Sequence, residues 1–156
     1  PRQRDAFVNH MERVFGLIGS PAYHDQDRDD VRAMAGASFD RDSDPHGSGR
    51  QLAAIIAAGD RTAELRRIGA PTLVIHGSAD PLVAHSGGVA TARAIAGARL
   101  LTIPGMGHDL PRAQWPQLID GIASHAQQAD AAARASRAAG GQPSPLQTRP
   151  APVTGL

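Results

Sequence analysis

Two stretches decide the fold: Ala70-Pro71-Thr72-Leu73-Val74-Ile75-His76-Gly77-Ser78-Ala79-Asp80-Pro81, and Leu100-Leu101-Thr102-Ile103-Pro104-Gly105-Met106-Gly107-His108. Each is a short, continuous apolar run that stops abruptly at a Gly/Pro turn. Runs of this kind suit strands buried on both faces of a parallel sheet. Between them, Ser86 can cap a helix through about Ala96, with Val89, Ala92, Ile95 and Ala96 on one face. After the second run a helix carries Trp115, Leu118, Ile119, Ile122 and Ala126. Pro116 is tolerated only in a first turn, where its missing N–H has no helical partner, so this helix is expected to start near Arg112 or Ala113. Residues 71–127 therefore read strand–helix–strand–helix.

Upstream the pattern is helical. Phe7, Met11, Phe15 and Ile18 recur at helical spacing. Asp29 can cap a helix through Ala37 with Val31, Met34 and Ala35 inward, and Arg50–Ala58 carries Leu52, Ile55 and Ile56 as an apolar stripe. Residues 21–30 and 40–49 read as polar loops, and Asp60 can cap a turn bearing Leu65 and Ile68. From about Gln128 the chain is Ala-rich and then Gly/Pro/Ser-rich; residues 140–156 are expected to be disordered, because they bury too little apolar area to offset ordering entropy. Two strands do not make a stable sheet alone. The expectation is a C-terminal part of a larger protein.

Composition narrows the function classes. The 156 residues are 41% hydrophobic but only 3% aromatic, which predicts a modest core. Sixteen basic residues, all Arg, stand against 15 acidic ones, so no electrostatic footprint for nucleic acid follows. Cysteine is absent, which excludes disulfides, thiolate metal sites and a thiol nucleophile. No apolar run reaches membrane-spanning length, and Pro1-Arg2-Gln3-Arg4 has no apolar segment behind it, so a cytoplasmic chain is expected. No Gly-x-Gly-x-x-Gly opens a helix after a strand, which argues against a dinucleotide module.

Adjacent parallel strands about 4.8 Å apart end at the same sheet edge, and open α/β sheets place their ligands there. One of the two loops at that edge carries Asp80 and the other His108. A carboxylate that accepts from one imidazole nitrogen fixes the tautomer and leaves the other nitrogen as a general base, the arrangement a hydroxyl nucleophile needs. Asp109 adjoins His108 and is expected instead to favour the N-terminus of the last helix. His76, at a strand end, is expected to bond a neighbouring loop.

The segments Ala70–Val83 and Ile103–Pro111 resemble the C-terminal third of the α/β-hydrolase family, in the style of small carboxylesterases, haloperoxidase-like hydrolases and polyketide methylesterases. The likeness is specific over 60–127, weaker over 1–59 and absent over the tail. In that family the order is Ser, then Asp or Glu, then His. By resemblance Asp80 is the triad acid and His108 the base, no cofactor is needed, and Arg50–Ile68 looks like a cap over the substrate. The implied fold class is α/β: the last two parallel strands of the family's sheet with their helices (70–127), preceded by a helical cap segment (1–69) and followed by a tail (128–156). The implied partner is a small ester-like substrate, with no nucleic acid and no membrane.

The departure is large. No Gly-x-Ser-x-Gly occurs; His85-Ser86-Gly87-Gly88 and His46-Gly47-Ser48-Gly49 do not fit it. The Gly-rich oxyanion segment is also absent. The expectation is a triad whose nucleophile lies in an N-terminal half outside this chain. The alternative is a non-catalytic remnant or partner-binding fragment of a hydrolase.

The aspartate runs do not make a calcium loop. Asp40, Asp42 and Asp44 fit the first EF-hand positions, but Pro45 and Gln51 stand where Gly and Glu belong. Asp25, Asp27 and Asp29 fail likewise, with Asp30 and Gly36 in those places. The seven histidines show no metal-ligand spacing. Trp115, Phe7, Met11 and Phe15 are read as packing residues.

Overall fold

A computed structural model describes residues 2–42, 44 and 46–140. The expected disorder of 140–156 lies, except for Gly140, outside these. The elements in order are α1 (Arg4–Ile18), α2 (Arg28–Arg41), α3 (Gly47–Ala58), α4 (Thr62–Leu65), β1 (Leu73–Gly77), α5 (His85–Ala94), β2 (Arg99–Ile103), a 3₁₀ turn (Arg112–Gln114) and α6 (Trp115–Ala138). The chain divides into two compact units, Pro1–Ile122 and Ala123–Leu156.

In the first unit β1 and β2 pair in parallel, from Leu73 opposite Arg99 to Gly77 opposite Ile103. The strand–helix–strand–helix reading of 71–127 therefore stands. The small core beneath the sheet joins Ile103, Met106 and Leu118, with Ile75 and Leu101 packed against it. The two strands finish level with one another, and the turns after them interlock. The N–H of Ser78 donates to the Ile103 carbonyl at 3.0 Å and that of Ala79 to the Met106 carbonyl at 3.0 Å. This close fit depends on Gly77, where a Cβ would stand 2.2 Å from the Met106 carbonyl oxygen.

Helices α1 and α2 pack on each other. Val8 and Ala35 are buried, and the Phe7 and Phe39 rings lie 5.5 Å apart. Arg4 grips Asp40 at 2.9 and 3.0 Å, and Glu12 pairs with both Arg28 and Arg32. The Arg32 hydrogen bond outweighs partial desolvation at Glu12, and with Arg28 it holds that carboxyl below its usual range.

Several local expectations shift. The α2 helix begins at Arg28 and runs through Arg41, without a side-chain cap from Asp29. Met34 is not buried but 46% exposed. The α5 helix begins at His85, without a cap from Ser86. The α3 stripe is not covered: Leu52, Ile55 and Ile56 are 58%, 70% and 73% exposed. Periodicity specifies that a face is apolar, not that anything covers it. Asp60 behaves as expected, accepting from the Thr62 N–H at 2.9 Å and its hydroxyl at 2.6 Å.

In the second unit the described residues continue α6 to Ala138, ending at Gly140 with φ 79°. The part of the expected tail between 128 and 138 is thus helical. Alanine has the highest helix propensity, and this run is rich in it. Among the described residues no helix is long and apolar enough to cross a membrane.

Candidate active site

The turn after β1 holds Asp80. Its Oδ1 accepts from the backbone N–H groups of Leu82 and Val83, each at 2.9 Å. This Asx-type turn fixes the carboxylate, whose side chain is only 6% exposed. Its other oxygen, Oδ2, lies 2.8 Å from Nδ1 of His108, on the loop after β2. The structure therefore brings the two predicted site residues together. A carboxylate only accepts, so Nδ1 carries the proton of that bond and Nε2 is left as the basic nitrogen. The His108 side chain is 42% exposed, so its ring is accessible. Burial by itself pushes the Asp80 carboxyl up. The Val83 N–H, the His108 ring and the Leu82 N–H together outweigh it and hold the group below the usual carboxylate range.

His76 supports the same turn. Its Nε2–H donates to the Val83 carbonyl at 2.9 Å and lies 3.8 Å from Asp80 Oδ2. That is the loop contact expected of it. The ring is confined: a Cβ at Gly88 would approach its Nδ1 to 2.5 Å. His85, edge-on to His76 at 5.6 Å, is bonded to the Thr102 hydroxyl at 2.9 Å.

The His108 loop is anchored from the other side by the turn after α1. The N–H of His108 donates to the Ile18 carbonyl at 2.7 Å, and that of Gly107 to Ser20 Oγ at 2.8 Å. Ser20 is wholly buried; its hydroxyl donates to Asp109 Oδ1 and its N–H to Asp109 Oδ2 at 2.9 Å. Asp109 therefore serves Ser20 rather than the N-terminus of α6. Nothing local in Gly19-Ser20-Pro21 signals this, because the partner lies 89 positions away. Ser20 is committed to Asp109, and the Ser78 hydroxyl accepts from the Gly105 N–H at 2.9 Å, so neither is placed as a nucleophile.

The approach of the two loops leaves no room at Gly107. A Cβ there would stand 2.3 Å from the Gly19 carbonyl carbon and 2.7 Å from the Ser20 nitrogen, both backbone atoms. Gly107→Ala is expected to cost about 1–3 kcal/mol, the usual range for overpacking. A lower urea midpoint at unchanged slope checks this.

Two cavities flank the loop. One, of about 330 Å³, is lined by His76, Asp80, Val83, Met106 and His108 among others. The other, of about 590 Å³, lies between α1, α2 and residues 109–115. Trp115 and Phe15 line this second cavity, so they are wall residues rather than the packing anchors expected. The aspartates of the 25–30 loop also find a use the sequence does not signal: Asp30 pairs with Arg112, and Asp27 accepts from the Arg112 N–H at 3.3 Å.

Asp80 and His108 both fall within the part of the chain that resembles known proteins. Residues 56–116 match the family model described as TAP-like protein, so the likeness over that stretch is to an α/β-hydrolase-like family.

Proposed function

We propose that this chain supplies the acid and base of a hydrolase that cleaves an ester or related acyl bond of a small molecule. The observation that carries the reading is the 2.8 Å bond from His108 Nδ1 to a carboxylate that two backbone N–H groups hold in place. In the reaction His108 Nε2 takes the proton of a serine hydroxyl as its oxygen attacks the acyl carbon. The same proton then passes to the leaving alkoxide as the ester bond breaks. Water repeats the sequence on the acyl-serine, releasing the acid and the free serine. Asp80 holds the imidazolium that forms in each half. No cofactor takes part. The 156 residues contain no Gly-x-Ser-x-Gly, so the serine and the oxyanion donors come from a segment outside them.

A second reading is a non-catalytic, partner-binding fragment, favoured by the missing elbow and by the exposed Leu52, Ile55 and Ile56 of α3. One experiment separates them. The chain is joined to, or mixed with, a hydrolase segment carrying a Gly-x-Ser-x-Gly elbow encoded upstream, and hydrolysis of p-nitrophenyl esters is followed. The hydrolase reading expects no turnover from the chain alone and saturable turnover on addition of that segment. A soluble, stoichiometric complex without turnover favours the second reading.

A further inference from the structure

The larger cavity has a composition that selects its occupant. Its apolar wall is formed by Phe15, Val31, Met34, Leu110 and Trp115. Its volume of about 590 Å³ lies in the range of small-molecule pockets. Asp109 and Leu110 line both this cavity and the one at Asp80 and His108, so a molecule at His108 has the apolar space directly beside it.

The charges around the wall are all engaged. Asp27, Asp30 and Asp109 stand against a single cation, Arg112. Both the Nε and an Nη of Arg112 go to Asp30, and the guanidinium lies 5.2 Å from the centre of the Trp115 ring. The Asp109 oxygens are taken by Ser20. Among the described residues no uncommitted cation lines the cavity to receive an anion, and their formal charge is negative. A carboxylate entering there would lose its hydration without a partner, whereas a neutral apolar group would not meet that cost.

We propose that this cavity receives the apolar part of the substrate and admits neutral groups while excluding carboxylates. This rests on the hydrolase reading and adds its substrate class: esters whose apolar portion carries no acid group.

Trp115 is the only tryptophan of the chain and sits 44% exposed in the cavity wall, so its fluorescence reports occupancy directly. The 156-residue chain is titrated with 1-octanol and, in parallel, with octanoate. A saturable change with octanol, at an affinity at least tenfold above that for octanoate, is expected. Met34 is half-exposed on α2, so Met34→Arg adds a second cation to the wall without disturbing the core. It is expected to weaken octanol at least tenfold and to strengthen octanoate, while Met34→Leu binds as the wild type does. Equal binding of the two probes, no saturable change with octanol, or octanol binding indifferent to Met34→Arg overturns the proposal. His108→Ala does not line this cavity and is expected to bind octanol normally. Octanol binding without ester turnover in the complemented enzyme therefore defeats the hydrolase reading alone. Turnover without octanol selectivity defeats this inference alone.

Discussion

In the enzyme complemented with an elbow segment, His108→Ala is expected to lower kcat for a p-nitrophenyl ester by about 10⁶-fold, the scale at which loss of the base disables a serine nucleophile. Without Nε2 no group takes the serine proton or returns it to the leaving group. KM is expected to move little, because the apolar wall proposed for the substrate lies on α1, α2 and residues 109–115 rather than on the imidazole. The side chain is 42% exposed, so the loss is not one of folding. Equal urea midpoints for the two proteins would show this, and a kcat within about tenfold of wild type would remove His108 from the mechanism.

Asp80→Asn is expected to lower kcat about 10⁴-fold, the loss seen when a triad carboxylate becomes an amide of the same shape. The Asn carbonyl can still accept from Leu82 and Val83, so the turn is retained. Its NH₂ group, however, faces Nδ1 and turns the ring to the tautomer with the proton on Nε2, where it cannot act as a base. The same variant has a signature in acid. A carboxyl whose folded pKa is depressed contributes stability above its unfolded value of about 3.9, and that stability is lost as pH falls through the lower folded value. The wild type is therefore expected to lose stability relative to Asp80→Asn as the pH falls below about 4, seen as converging urea midpoints.

The meeting of Asp80 with His108 was legible in the sequence because its determinants are local. Leu73–Ile75 and Leu100–Ile103 are β-rich runs with abrupt Gly/Pro ends, and parallel pairing then obliges the loops with Asp80 and His108 to meet. What was not legible depends on distant partners. Ser20 and Asp109 are bonded across 89 positions, and Arg112 reaches Asp30 across 82. The turn at Gly19-Ser20 and the acidic loop at 25–30 each read as ordinary solvated segments. Met34 sits at a helical position that periodicity marks as inward, yet it lines a cavity, and it is its neighbour Ala35 that is buried. The Ala-rich 128–138 segment shows the reverse case: composition alone suggested a tail, whereas alanine's intrinsic preference extends α6.

The most direct measurement is the tautomer of His108 in the 156-residue chain, read from the ¹⁵N shifts and one-bond couplings of its imidazole at a pH where the ring is neutral. The structure predicts a proton held on Nδ1 by Asp80 and a bare Nε2, reversed in Asp80→Asn. A wild-type ring protonated on Nε2, or one that averages both tautomers as a free histidine does, would contradict the assignment of Asp80 and His108 as an acid–base pair.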